Sequence, residues 1–281
     1  MKHVYIIVVC FVWTSVVFAA TTVSVLPETI LQGDPILVTV TGSSSLKGII
    51  FGTEHVPVFT YEGKSRALIG IDLSRQPGTY GLNIRFADGK VVKKTITVVG
   101  RQRIELPLGI PEKLGGNTPT SQKNLVDSLA RENEGLRLIR TGTKAFWTKP
   151  FRSPLLGLTV TDPYGYNRKT GVYTIAHKGT DFRAAEGTKV FAMNRGVIRI
   201  ARAYRTYGKT IIVDHGLGLQ TLSMHLSRIN VNEGELVLPG QVIGLSGQTG
   251  YAEKPHLHVS IRINGISIDP IKFLSLFNLN P

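Results

Sequence analysis

The chain has 281 residues, of which 42% are hydrophobic and 19% charged; this excludes a wholly disordered chain and fits about two domains at roughly 150 residues each. Lys and Arg number 33 against 19 Asp and Glu, a net charge of +14, which favours polyanionic partners. Residues 21–100 are close to neutral and no Lys/Arg block of the nucleic-acid-tail kind is present, so the basic excess belongs to residues 101–281. The single cysteine, Cys10, excludes an intramolecular disulfide and a cysteine-based zinc site, so a metal would have to be held by His and carboxylates.

The N-terminus reads Met1-Lys2-His3 followed by an apolar run from Val4 to Ala20. A short basic start, an apolar core and the small residues Val17 and Ala19 predict a secretory signal peptide over residues 1–19, cleaved after Ala19. The competing reading is an uncleaved anchor, because the run is at the lower limit for spanning a bilayer. Cleavage would remove Cys10 and leave a mature chain without thiols, which suits an oxidising exported compartment.

Residues 20–100 are rich in β-branched residues. Thr22–Leu26 and Ile36–Val40 alternate, and short runs follow at Gly48–Phe51, His55–Tyr61, Ser65–Ile71, Gly78–Arg85 and Val91–Val98. Seven short strands punctuated by turns such as Ala87-Asp88-Gly89-Lys90 predict an immunoglobulin-like β-sandwich. Nothing there gathers titratable residues, and His55 stands alone. Residues 101–148 combine a Pro/Gly-rich linker with a connecting helix from Ser121 to about Arg140, capped by Thr120 or Ser121, with Leu125, Leu129, Leu136 and Ile139 on one face. From residue 149 to 281 short strands return, at Val190–Ala192, Gly196–Ala201, Thr210–Val213, Gln220–Leu226, Glu235–Leu238, Gln241–Ser246 and His256–Ile263. The predicted fold class is mainly β throughout.

Five of the seven histidines fall between positions 177 and 258. They form three patterns: His177-x-x-x-Asp181, Thr221-Leu222-Ser223-Met224-His225-Leu226, and Pro255-His256-Leu257-His258. Side chains alternate along a strand, so His256, His258, Ser260 and Arg262 are expected on one face, with Leu257, Val259, Ile261 and Ile263 on the apolar other. By the same alternation Thr221, Ser223 and His225 should share a face, with Leu222, Met224 and Leu226 packed away. Two imidazoles and a carboxylate with a coordination position left over form the ligand set of a catalytic zinc site, and spare histidines beside it could move protons.

Further motifs surround these. Pro163-Tyr164-Gly165 precedes Arg168; His177-x-Gly179-x-Asp181-Phe182 is followed by Gly187-Thr188-x-Val190-x-Ala192 and Gly196-Val197-Ile198. Asp214-His215-Gly216 precedes His225-Leu226-Ser227, and Gly240-Gln241-x-Ile243-Gly244 leads to Gly247-x-Thr249-Gly250, Pro255–His258 and Asp269-Pro270. In order and spacing, residues 149–275 resemble the lysostaphin-type (LytM-like) zinc metallopeptidases, which cut peptide cross-links in peptidoglycan. The part before them resembles, by arrangement more than by motif, members with an N-terminal β-sandwich and a helical connector. The resemblance implies an antiparallel β-sheet groove (the duplicated hybrid motif), one Zn2+ per chain held by His177, Asp181 and His258, and catalytic roles for His256 as general base and His225 as its partner; which of these two takes the proton stays open. Tyr164, Ser223 and Lys254 depart from the family, which prefers Phe, an aromatic lining the groove, and a small residue there. Asp214-His215 reads as structural.

The expected function is therefore an exported, periplasmic or cell-envelope zinc endopeptidase that hydrolyses peptidoglycan cross-links. Its partners would be peptide stems and anionic surface polymers, with no nucleic acid and no stable membrane insertion after signal cleavage. The alternative from another class is a catalytically silent wall-binding regulator of other hydrolases on the same fold. A serine hydrolase is excluded because Gly244-Leu245-Ser246-Gly247-Gln248 misses the second glycine of a nucleophile elbow, and no phosphate-cradling loop is present.

Overall fold

A computed structural model describes residues 20–278 apart from residues 28, 43 and 44; the expected signal peptide lies outside the described residues. The chain is mainly β, with two α-helices among the described residues. Near the N-terminus two sheets pack face to face. Strands Thr22–Leu26, Pro35–Thr41, Lys64–Gly70 and Val58–Tyr61 form one, all antiparallel. Ile30–Leu31, Val91–Val99, Gly78–Phe86, Leu46–Phe51 and Glu54–Val56 form the other. The run expected as one strand over His55–Tyr61 is divided at Pro57, and its halves join different sheets. Proline has no N–H to give to a ladder, so the chain changes sheet there.

The alternation of Ile36-Leu37-Val38-Thr39-Val40 has a meaning that extends beyond the sandwich. Ile36, Val38 and Val40 fill the core between the two sheets, with Ile49, Leu82, Ile84 and Phe86 from the facing sheet. Leu37 points the other way. With Phe59, Tyr61 and Leu68 it enters a second core that contains Trp147, Phe151, Phe273 and Phe277. The four-stranded sheet is thus covered on both faces, and sandwich and C-terminal domain share one apolar interface.

Within the stretch expected as linker, Glu105–Pro107 forms a short strand parallel to Asn167–Thr170. The first helix, α1, spans Pro119–Arg137, earlier at both ends than expected. Its cap is Thr118, not Thr120 or Ser121; the Thr118 hydroxyl accepts from the Ser121 N–H at 3.2 Å. Pro119 at the first helical position, where no N–H is needed, sets this start. The second helix, α2 (Pro270–Asn278), was not expected. Phe273, Leu274, Leu276 and Phe277 are buried while Ile271, Lys272 and Ser275 are exposed, but the helix is shorter than the window over which periodicity is read. The signal that would have found it is Asp269-Pro270: the Asp269 carboxylate accepts from the N–H groups of Ile271 and Lys272 at 3.0 and 3.3 Å.

The C-terminal domain is built on an eight-stranded sheet, in the order Val160–Asp162, Thr180–Arg183, His256–Ile263, Leu219–Leu226, Gly208–Gly216, Gly196–Tyr204, Leu236–Val237, with Ile266–Ile268 paired to His256–Ile263. One face carries Phe182, Ile211, Val213, Leu257, Val259 and Ile261 into the shared core. The other face carries Ile200, Ile212, Leu222 and Met224 against Leu136 of α1, and continues into the candidate site.

An ionic cluster fastens the two domains. The Arg101 guanidinium donates to Asp34 at 2.6 Å, to Asp269 at 3.2 Å and to the Gln32 carbonyl at 2.7 Å, and lies over the Tyr164 ring. The Tyr164 hydroxyl donates to the Ser267 carbonyl at 2.8 Å. Gly33, at φ +86, lies so close to the Tyr164 ring that a Cβ would collide with it. Removing one partner from a buried ion cluster leaves the remaining charges unpaired in a desolvated place. Arg101→Met should therefore lower stability by about 3 kcal/mol, read as a shift of the urea-unfolding midpoint; a shift below a third of that would mean the cluster adds little.

Candidate metal centre

The strand Thr180–Arg183 pairs antiparallel with His256–Ile263, and this register sets Asp181 opposite His258 and Arg183 opposite His256. His177 lies four residues before Asp181, on the chain entering that strand. The ligand atoms of His177, Asp181 and His258 all lie within 4.8 Å of one another. Asp181 Oδ1 is 2.6 Å from His258 Nδ1 and 3.2 Å from His177 Nε2, and the two ring nitrogens are 3.2 Å apart. All three residues are buried. The face expected for His256–Ile263 is the observed one: Leu257, Val259, Ile261 and Ile263 enter the core, while His258, Ser260 and Arg262 line a cavity.

The face expected for Gln220–Leu226 is not observed. Met224 pairs with His258 and Leu222 with Ser260, so Leu222 and Met224 share the groove face. Ser223 is paired with Val259 and Ile211 and faces the core side, so it does not line the groove as expected. His225 still reaches the groove because the ladder slips between Lys209 and Ile211, and His225 adopts φ +60. A left-handed residue in a bulge re-aims its side chain. Its ring centroid lies 4.9 Å from that of His256 and 5.9 Å from that of His258. Strict alternation cannot foresee a bulge, which is why His225 reaches the groove while Leu222, Ser223 and Met224 take the faces opposite to those expected.

Three of the four imidazoles are oriented alike. His177 Nδ1 is 2.9 Å from the Pro163 carbonyl, His225 Nδ1 2.8 Å from that of Thr249, and His256 Nδ1 2.8 Å from that of Lys254. A carbonyl can only accept, so each Nδ1 carries the proton and each neutral ring turns a lone pair on Nε2 inward. For His177 that lone pair faces a carboxylate oxygen and another histidine nitrogen. Converging electron pairs at this spacing suit a cation, so the donor set fits a metal ion. Gly179 supplies room: a Cβ there would collide with His258 Nε2.

Burial pushes the His258 ring down to about 4 and, with the neighbouring His256 and His258, pushes His225 down to about 3, so both are neutral near pH 7. Burial opposes ionisation of Asp181, but its close contacts with His258 and His177 outweigh it and hold its carboxyl well below the usual range.

Two residues without an assigned role support this cluster. Arg168, which sequence reading noted only as part of a motif, donates through Nη2 to both Asp181 and Asp162 and lies 3.1 Å from His177 Nε2. Asp162 was missed, since nothing in its local sequence marks it. Two carboxylates against one guanidinium leave the immediate surroundings with a net negative charge, which suits a cation. Asp214 and His215 are structural, as expected. Asp214 ties Arg199, Thr141 and the Gly142 N–H together, and His215 bridges the Arg195 carbonyl and the Thr221 hydroxyl.

The sequence profile of peptidase family M23 matches residues 175–270, the stretch that holds every residue of the cluster. Residues 175–270 are a peptidase family M23 domain. The chain is similar to the DD-carboxypeptidase/endopeptidase Mpg of Neisseria meningitidis serogroup B, with 38% identity over 42% of this chain and 27% of that protein. It is also similar to the peptidoglycan DD-endopeptidase ShyA of Vibrio cholerae, with 38% identity over 34% of this chain and 22% of that protein. The chain thus spans about a quarter of the length of these curated relatives. Among solved structures, a putative M23 peptidase from Pseudomonas aeruginosa is similar over 87% of this chain and 94% of its own, at 26% identity and a TM-score of 0.63. That likeness extends well beyond residues 175–270.

Because Arg168 orients Asp181, Arg168→Met should weaken zinc affinity by roughly 10–100-fold, measured by competition with a chromogenic chelator; unchanged affinity would make Arg168 a fold element only. His215 gives a pH prediction. Burial lowers its ring to about 4 from the ordinary 6.5, so the stability of its neutral form is full above about pH 6.5 and is lost as pH falls through about 4. The urea midpoint should drop over that interval, and drop less steeply in His215→Gln; equal slopes would assign the loss to other groups.

Proposed function

We propose that this M23 protein is an exported, zinc-dependent endopeptidase that hydrolyses peptide cross-links of bacterial peptidoglycan during cell-wall remodelling. One observation carries the reading: His177, Asp181 and His258 converge within 4.8 Å, with the imidazoles of His225 and His256 turned toward the same space. His177, Asp181 and His258 would hold one zinc ion. When bound, zinc supplies Lewis-acid chemistry, polarising a carbonyl and making hydroxide available at neutral pH. The names of Mpg and ShyA support the peptide-cleaving class, and the +14 charge supports retention on an anionic wall at low salt.

The protein's own groups divide the proton work. His256 Nε2 lies 3.7 Å from Asp181 Oδ1, and its Nδ1 proton is committed to Lys254, so Nε2 is a free acceptor at the edge of the cluster. His256 is the least buried of the four imidazoles. His225, wholly buried and held near 3, is a poor acceptor near pH 7 because a useful base titrates near the working pH. We therefore assign proton abstraction from the attacking water, and delivery to the leaving amine, to His256. His225, whose inward Nε2 can only accept, orients the water by accepting a hydrogen bond from it.

Purified full-length protein should release soluble cross-linked fragments from peptidoglycan, detected by mass spectrometry, and a chelator should abolish the release until zinc is restored. Asp181→Ala and His258→Ala should lose both bound zinc and activity. His256→Ala should keep zinc and lose about 10²–10⁴ in kcat. Undiminished cleavage without zinc would overturn the proposal.

A further inference from the structure

The cavity that contains the histidine cluster extends along the groove face of His256–Ile263 as far as Arg262. Leu125, Leu129 and Asn133 of α1 form its far wall, Tyr207 and Tyr251 flank it, and its volume is about 200 Å³. Arg262 is only 5% exposed. The other buried arginine of the described residues, Arg66, pairs with Glu62, and the half-buried Arg168 pairs with Asp162 and Asp181. Arg262 meets no carboxylate. Its Nη2 donates to the Asn133 side-chain oxygen at 2.9 Å, and its Nε, also buried, has no partner. Burial lowers the affinity of this guanidinium for its proton, and only the Tyr207 hydroxyl opposes the effect. Two more polar atoms of the cavity residues, the Tyr251 and Thr206 hydroxyls, are likewise buried without partners.

A desolvated cation with no counter-charge is costly unless something supplies the anion. Guanidinium is a planar, multi-donor group matched to carboxylate. Here it lines an open cavity continuous with the candidate site, which Tyr251, with an unpartnered hydroxyl able to donate, also lines. We propose that Arg262, assisted by Tyr251, is a specificity-determining residue that binds a carboxylate of the substrate peptide. The inference rests on the endopeptidase reading for the identity of that peptide. Arg262 and His258 are four residues apart on one strand face, about 13 Å between their Cα atoms at roughly 3.3 Å per residue. The recognised carboxylate therefore lies a short stretch of extended peptide away from the bond to be cut. It belongs either to a free C-terminus or to an acidic side chain of the stem.

The test is calorimetric binding to the zinc-loaded full-length protein. Three synthetic tetrapeptide stems are used: one with free C-terminal and side-chain carboxylates, one amidated at the C-terminus, and one amidated at the side chain. One of the two amidations should weaken binding by about 10–100-fold, the worth of a charge-assisted hydrogen bond, and which one does so identifies the source. In Arg262→Met the fully free peptide should bind as weakly as that amide, and Arg262→Lys should recover part of the loss. Equal affinity of wild-type protein for all three peptides would overturn the inference without use of any variant. So would a discrimination that survives in Arg262→Met. Binding is read separately from cleavage: a protein that cuts no peptidoglycan yet distinguishes acid from amide would refute the endopeptidase reading and keep the carboxylate site.

Discussion

The pairing of strand Thr180–Arg183 with strand His256–Ile263 sets Asp181 directly across from His258, and the chemistry of the site depends on that register. Cross-strand neighbours share a face, so one carboxylate and one imidazole meet without any loop having to hold them. A slip of one residue would turn both to the core and bring Phe182 and Leu257 into the groove. Those two residues are wholly buried on the opposite face, so apolar burial under the sheet enforces the polar geometry above it. His177 completes the cluster from the entering chain, where the Pro163 carbonyl fixes its ring.

The remainder of the molecule braces this sheet. Its core face rests on α2 and on Leu37, Phe59 and Leu68 of the sandwich, so the N-terminal domain supports the back of the peptidase domain. The Arg101 cluster ties Asp34 of one domain to Asp269 at the cap of α2 in the other, which couples the helix cap to the domain interface. On the groove face, α1 is held by side-chain bonds at several points. Glu132 accepts from the Thr206 and Tyr207 N–H groups at 3.0 and 3.3 Å, and Asn133 accepts from Arg262. The connector is thereby a wall of the cavity, and the chain between the two domains shapes what can enter it.

Charge is distributed with the same logic. The net +14 is a long-range property whose attraction for anions fades with salt. Inside the groove the sign is reversed locally, since Asp162 and Asp181 outnumber Arg168 where a cation would bind. Farther along the same strand face the sign changes again at Arg262. A groove that is negative at one end and positive at the other would give the proposed peptide substrate a direction as well as a place.

The sequence by itself determined the mainly β fold, the alternating faces of His256–Ile263, and the identity of the five residues now gathered at the centre, because each follows from short-range periodicity or from motif order. Strand alternation placed His256 and His258 toward one space, since nothing interrupts that strand. It could not place Leu222, Ser223 and Met224, because a bulge at His225 shifts the count by one and a bulge is decided by how neighbouring strands close together. Nor could it find α2, which is too short for periodicity to mark, or the break at Pro57, where the choice of sheet is a tertiary matter. Asp162, Arg262 and the contacts of α1 became meaningful only in three dimensions. Asp162 meets Arg168 only six residues on, but at a cluster that distant strands assemble; the α1 contacts join residues 74 to 129 apart, and only the folded packing decides which buried charges are matched.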